Sequence, residues 1–205
     1  MPHSIDHLIV FTSVRERGMD WVEQRLGVRP VAGGRHPDLG THNALLGLGP
    51  ACYLEVMAPD PDALLPMDPA ETALGFLTEP RLGTWVLRAE DIEDRRARAA
   101  AFGLGPVRGG HRDNPDGTRV TWRITDPFVF PLGGVVPFLI AWGDTPHPAA
   151  RLPQGGELTE LAVAHPDVDG VRRAFEALGV DLPVTRGERP GLRATIETER
   201  GAVSL

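Results

Sequence analysis

Ile5-Asp6-His7-Leu8-Ile9-Val10 decides the fold, because the chain repeats its pattern twice. Leu82-Gly83-Thr84-Trp85-Val86-Leu87 and Leu158-Thr159-Glu160-Leu161-Ala162-Val163 have the same length and a similar apolar, β-branched character, and all three read as strands. Their third positions lie 77 residues apart from His7 to Thr84 and 76 from Thr84 to Glu160. Each strand leads into a helical pattern and then a glycine: 20 residues from His7 to Gly27, and 19 from Thr84 to Gly103 and from Glu160 to Gly179. A fixed period of this kind marks repeated supersecondary units.

The helical patterns have apolar stripes. Met19, Val22 and Leu26 share one face, as do Ile92, Ala99 and Phe102 in the second unit and Val168, Val171, Phe175 and Leu178 in the third. Gly27, Gly103 and Gly179 then sit where a helix ends on a left-handed residue. Beyond them, Gly33-Gly34-Arg35-His36 matches Gly109-Gly110-His111, and Gly40-Thr41-His42-Asn43 matches Gly117-Thr118-Arg119-Val120. Tyr53-Leu54-Glu55-Val56 matches Phe138-Leu139-Ile140-Ala141. Each full unit is therefore β-α-β-β-β. The third begins alike and ends in a hairpin, Leu192 to Thr198 and Ala202 to Leu205, with its last strand cut short. Proline-rich stretches, Pro59 to Pro69 and Thr145 to Gly156, separate the units. The expected fold class is α+β: curved mixed sheets around a cleft, two full units plus a truncated third. Units 1–60 and 80–146 pair within a domain 1–146, and 155–205 packs on the same core.

Composition removes several function classes. All 21 basic residues are arginine, so a Schiff-base lysine and a phosphate-loop lysine are absent. The three serines, Ser4, Ser13 and Ser204, lie in no nucleophile elbow. Cys52 is the single cysteine, which excludes an intrachain disulfide and a multi-cysteine zinc knuckle, and suits a reducing compartment. A formal charge of −7 without a basic stripe argues against nucleic acid. No apolar run reaches the roughly 20 residues of a membrane span. MPHSIDHLIV shows neither the basic nor the long apolar region of a signal peptide. The expectation is a cytoplasmic protein, and the lysine-free, arginine- and alanine-rich composition hints at a GC-rich bacterial genome.

Repeated β-α-β-β-β units with histidine on a first strand and glutamate on a last strand resemble the vicinal oxygen chelate superfamily. The Ile5 to Val10 start, the Gly33 to Asn43 stretch and Tyr53-Leu54-Glu55 are similar to its glyoxalase-like domain branch. The resemblance implies units paired around a cleft, with metal ligands from the first and last strands. Carried over, it makes His7 and Glu55 ligands. The second unit departs from the pattern, with Thr84 and Ile140 at the ligand positions; the third offers Glu160. Units one and three together would supply His7, Glu55 and Glu160, a set suited to a divalent metal such as Zn, Mn, Fe or Ni.

Period two places Ile5, His7 and Ile9 on one face of the first strand, and Tyr53, Glu55 and Met57 on one face of the last. Glu55 between apolar neighbours is functional, partnered by an arginine or simply exposed at an edge, since a lone buried carboxylate is costly. His36 and His42 flank the Gly-Thr-His-Asn segment and either could be a general base; His42 joins Glu55 as a catalytic candidate. His36, Asn43, Tyr53 and Trp142 are the candidate substrate contacts. Turn chemistry alone would also explain Gly33, Gly34, Pro37 and Gly40. Cys52 reads as a core thiol, His147 and His165 as linker residues, and Arg119 and Arg123 as an exposed face. The expected function is a glyoxalase-like enzyme in which a metal chelates vicinal oxygens of a partly apolar small molecule, with lyase, isomerase or dioxygenase chemistry. The alternative is a metal-free binding protein of the bleomycin-resistance type. The odd third unit either docks on the same chain or mediates a homodimer.

Overall fold

A computed structural model describes residues 5–63, 74–114 and 116–205. The first unit runs β1 (Ile5–Phe11), α1 (Arg15–Leu26), β2 (Val31–His36), β3 (Thr41–Gly47), β4 (Tyr53–Pro59). The second runs β5 (Arg81–Arg88), α2 (Ile92–Arg98), β6 (Val107–Asp113), β7 (Arg119–Thr125), β8 (Phe138–Ala141). The third runs β9 (Glu157–His165), α3 (Val168–Leu178), β10 (Val184–Arg186), β11 (Gly191–Thr198), β12 (Gly201–Ser204). The helix-terminal glycines behave as the sequence suggests: Gly27, Gly103 and Gly179 have φ of 79°, 83° and 68°. Most of the first interunit linker, residues 64–69, lies outside the described residues.

The first two units close one barrel in the order β1-β4-β3-β2-β6-β7-β8-β5. Within each unit the first strand lies parallel to the last, β1 beside β4 and β5 beside β8. A long antiparallel seam, β1 against β5, joins the units on one side. On the other side β2 meets β6 through the single pair Arg35 and Asp113. An eight-stranded barrel is just wide enough for side chains or one small ligand.

Alternation along the strands sorts the apolar residues into two cores. Leu8, Val10, Leu54, Val56, Leu87 and Leu139 point outward beneath the helices, against Met19, Val22 and Leu26 of α1. Ile9, Leu45, Met57, Val86, Phe138 and Ile140 point into the barrel. Ile5 departs from the expected face and joins the outer core. A register shift between Ile5 and His7 in the β1–β5 ladder accounts for this, since a bulge re-aims the side chains around it.

The third unit does not curl as the first two do. Its sheet has the order β10-β9-β11-β12, with β9 antiparallel to β11. β10 lies parallel beside β9, β11 pairs antiparallel along its other edge, and β12 pairs with β11. The sheet covers the outer face of the barrel: Leu161, Val163, Phe175 and Ile196 share one core with Trp85 and Leu139, and the Trp85 and Phe175 rings meet edge to face at 6.0 Å. Among the described residues no helix is long and apolar enough to cross a membrane.

Helix α1 packs tightly on the barrel at Gly18. A Cβ there would stand 2.5 Å from Val56 Cγ1 and 2.8 Å from Thr12 Cγ2, both on buried residues that have no room to retreat. Helix propensity favours alanine by about 1 kcal/mol, but overpacking costs about 1–3 kcal/mol. Gly18→Ala is therefore expected to lower the urea midpoint, and an unchanged or raised midpoint would show that the helix can shift outward.

Candidate active site

One end of the barrel interior is polar and the rest is apolar. At the polar end His7 is 3% exposed and lies between two carboxylates. Its Nδ1 stands 2.7 Å from Asp6 Oδ1, and its Nε2 stands 3.4 Å from Glu55 Oε2. The first distance is a strong hydrogen bond; the second is a looser ion pair. The Tyr53 ring stacks on the imidazole with centroids 4.4 Å apart and planes 16° from parallel. Register explains the meeting, because the parallel β1–β4 ladder sets His7 opposite Tyr53 and Ile9 opposite Glu55.

Asp6 is fully buried and held by several donors. Arg88 Nε from β5 donates to its Oδ2 at 2.8 Å, and Trp142 Nε1, just past β8, donates at 2.9 Å. His147 Nδ1 accepts from the Ala149 N–H at 3.3 Å, which leaves the proton on Nε2, 3.2 Å from Asp6 Oδ2 but not aligned as a hydrogen bond. Burial opposes a charge on Asp6, yet the His147 and His7 contacts outweigh it and hold the carboxyl well below the usual range.

Glu55 is fixed from the other side. Gly34 N–H donates to Asn43 Oδ1 at 2.9 Å, so the Asn43 amide turns its Nδ2 toward Glu55 Oε1, 2.7 Å away. His36 Nε2 lies 3.4 Å from Asn43 Nδ2 and 4.0 Å from Glu55 Oε1, with its Nδ1 bonded to Thr41 Oγ1 at 2.9 Å. Burial raises the energy of the Glu55 carboxylate, but His7, His36 and Asn43 more than offset that and bring its pKa down to about 2. Burial pushes His36 down to about 4, so its imidazole is neutral at physiological pH. Burial also disfavours charge on His7, but Asp6 and Glu55 reverse the sign and raise its pKa above 6.5.

The second unit supplies the opposite wall: Trp122, Ile124, Phe138, Ile140 and Trp142 face the cavity, joined by Arg112. The cavity has a volume of about 100 Å³ and adjoins a smaller apolar one of about 20 Å³ lined by Phe11, Leu74, Phe128 and Phe130. The paired glycines of β2 and β6 are strand residues rather than turns. A Cβ at Gly33 would strike Asn43 Oδ1, and one at Gly34 would strike the Arg112 side chain. The bare backbone is what admits these two polar groups.

A glyoxalase-like domain family model matches residues 5–179. The chain belongs to the glyoxalase-like domain family, within the vicinal oxygen chelate superfamily. A hypothetical protein from Staphylococcus aureus shares the fold at 13% identity, over 98% of this chain and 97% of that one, with a TM-score of 0.66. A mutant of 4-hydroxymandelate synthase from Streptomyces coelicolor is 17% identical over 100% of this chain and 63% of its own, with a TM-score of 0.54. Methylmalonyl-CoA epimerase from Mycobacterium tuberculosis is 21% identical over 69% and 89%, with a TM-score of 0.43. Among curated proteins none matches this chain.

Within this glyoxalase-like barrel the residues singled out from sequence part company. His7, His36, Asn43, Tyr53, Glu55 and Trp142 all line one cavity. His42 does not: neighbouring strand residues face opposite ways, so with Asn43 inward it points outward, where burial and the nearby Arg15 lower its pKa. Glu160 is exposed on β9, in a different sheet, 3.4 Å from Thr195 Oγ1, so a ligand set of His7, Glu55 and Glu160 does not assemble. His147 is not a linker residue, since its ring abuts Asp6. Cys52 is inert, its thiol pushed up to about 12 by burial. Sequence reasoning passed over Asp6 and Arg112. The signal for Asp6 is two consecutive polar residues inside an apolar strand, which strict alternation cannot bury together.

The superfamily resemblance implies a divalent metal, and the donors here meet its demands only halfway. Two ligands at about 2.1 Å on a tetrahedral ion stand roughly 3.4 Å apart, as His7 Nε2 and Glu55 Oε2 do. A carboxylate behind the histidine, as Asp6 is, also suits a ligand. The third ligand is missing: Thr84 Oγ1 donates to Gly134 O at 3.0 Å, Ile140 is apolar, and the Asn43 amide sits between His36 and Glu55. Among the described residues no three His, Cys, Asp or Glu side chains converge as a metal site.

These shifts set the pH dependence of stability. Glu55 stabilises the fold above its ordinary value of 4.5, an effect lost as the pH falls toward 2. His36 is protonated first in the unfolded chain, so stability also falls from pH 6.5 toward 4. His7 acts in reverse: its contribution is complete below 6.5 and is lost as the pH rises through its raised folded value. Stability is therefore greatest near neutrality. His36→Gln is expected to flatten the limb between pH 6.5 and 4 by up to roughly 3 kcal/mol, measured by urea unfolding; an unaltered limb would place His36 in water.

Proposed function

We propose that this glyoxalase-like protein is a cytoplasmic enzyme that moves a proton at carbon next to a carbonyl of a small, partly apolar substrate. The observation that carries this reading is the His7 imidazole set between Asp6 and Glu55 at the polar end of an apolar cavity. Glu55 is the base that takes the proton from carbon. His7, held by Asp6, presents Nε2–H to the carbonyl oxygen and stabilises the oxyanion that forms. The 3.4 Å between His7 and Glu55 is long for a hydrogen bond, so the imidazole N–H can turn to a substrate oxygen without breaking a strong contact. A carboxylate held near 2 is a weak base; losing the His7 contact to substrate raises its basicity toward the value a base needs. The apolar wall excludes water from the ion pair. Because the donor set lacks a third ligand, no step runs through a metal. A metal-free binding protein is the second reading, supported by Thr84 and Ile140 at the ligand positions of the second unit.

Incubation with 2-oxoaldehydes and 2-oxo acids in D2O tests the proposal. The wild type is expected to place deuterium on the carbon beside the carbonyl, and Glu55→Gln to slow this by about 100-fold or more. Exchange at the wild-type rate in Glu55→Gln, or none with any compound, would overturn it. Elemental analysis of untagged protein beside Glu55→Ala checks the metal-free step. About one metal per chain, lost in the variant, would replace His7 and Glu55 as acid and base by a metal centre.

A further inference from the structure

Arg112 is the buried charged group in this cavity that the acid–base reading leaves unused, whereas Asp38 and Arg108, which also line it, are more exposed and pair with His111 and Asp126. It is 6% exposed and is the one buried residue of β6. Its Nε donates to Asn114 Oδ1 at 3.1 Å, and no carboxylate among the described residues pairs with it. The other buried charges are matched: Asp6 has Arg88, and Glu55 has His7 and Asn43. Arginines nearby on the surface are matched too, Arg108 by Asp126 and Arg119 by Asp113. An unmatched buried guanidinium is costly. The chain nevertheless builds a berth for it, since the missing Cβ of Gly34 is what lets the Arg112 stem pass. Its planar fork fits a carboxylate with two parallel hydrogen bonds.

We propose that Arg112 is a specificity-determining residue that receives the carboxylate of a monoanionic substrate, whose apolar body lies against Ile9, Met57, Phe138 and Ile140. The size of the site limits that body. A cavity of about 100 Å³ with an apolar annex of about 20 Å³ is of the order of one that holds a benzene ring. The substrate class is thus a carboxylate bearing one aryl ring or a short alkyl chain. The location of the reacting carbon rests on the acid–base reading above; the recognition of the anion does not.

Calorimetric titration with phenylacetate and its neutral counterpart phenylacetamide separates charge recognition from apolar packing. The wild type is expected to bind phenylacetate at least about 30-fold more tightly, the penalty for leaving one member of a buried charged pair alone. In Arg112→Met the ratio falls toward one, and in Arg112→Lys, which keeps the charge but loses the fork, an intermediate preference remains. Without ligand, Arg112→Met is expected to melt at or above the wild-type temperature, because an uncompensated charge has been removed. A ratio near one in the wild type, no binding of phenylacetate, or a preference that survives in Arg112→Met would overturn the proposal. So would a lower melting temperature in Arg112→Met with the preference retained, which would make Arg112 a packing residue. Comparing the titration with deuterium exchange in the wild type distinguishes the two readings. Carboxylate preference without deuterium exchange in the wild type leaves the anion site standing and removes the enzyme. Exchange without carboxylate preference does the opposite.

Discussion

Everything at the polar end of the barrel hangs on the Asp6 carboxylate. It is removed from water altogether, and a lone carboxylate so placed would cost far more than a small domain's net stability allows. It survives because β1 brings it against donors from separate parts of the chain, His7 beside it, Arg88 on β5 and Trp142 after β8, with the His147 ring close by. The first unit supplies the acid and the second supplies most of the partners. The same contact that fixes the imidazole of His7 therefore also ties the two halves together at the seam that closes the barrel. Loss of Asp6 would leave Arg88 without its carboxylate and His7 without its anchor at once.

The two halves share a topology and divide the labour. His7, His36, Asn43 and Glu55 all come from the first unit, while the second gives Arg112 and the aromatic wall. At the positions that match His7 and Glu55, the second unit carries Thr84, whose hydroxyl is spent on the Gly134 carbonyl, and Ile140, which packs in the interior. On the proposed reading, the duplicated scaffold holds the chemistry in its first unit and the recognition in its second. Gly33 and Gly34 on β2 make this possible where the two meet, since they open space for Asn43 and Arg112. That seam is joined through a single residue pair and is the weakest part of the barrel wall.

Much of this was legible in the sequence because it follows from period. The spacing of the three strand-helix-glycine runs gives the units, and alternation gives His7 and Glu55 on inward faces. What escaped did so for specific reasons. Asp6 needs a bulge, and a bulge leaves no trace in a period-two pattern except the awkward Asp6-His7 pair. Arg112 looks like one more arginine in a turn-rich stretch, because nothing local shows that its partners are absent. Glu160 occupies the right place in the repeat but the wrong place in space, because the truncated unit pairs β9 with β11 and stays outside the barrel. His42 was separable from sequence alone: once Asn43 faces inward, its neighbour cannot.

The electrostatics of the site also explain why it is so heavily cross-linked. A base is useful only if it is charged before the substrate arrives, and a buried carboxylate stays charged only if something holds the proton away. His7 and Asn43 do this for Glu55, and the cost is a pKa near 2, which is poor basicity. The way out of that conflict is geometric. Asn43 is locked by the Gly34 amide and cannot leave, whereas His7 touches Glu55 only loosely and is anchored from behind by Asp6. On the acid–base reading proposed above, an oxygen of the substrate would compete for His7 and not for Asn43, loosening one restraint while the other keeps the carboxylate aimed. A preorganised network of this kind reacts to the substrate's charge with little movement of its own. The buried Asp6 behind His7 is what makes the exchange possible, because it holds the imidazole in place while its outer proton changes partners.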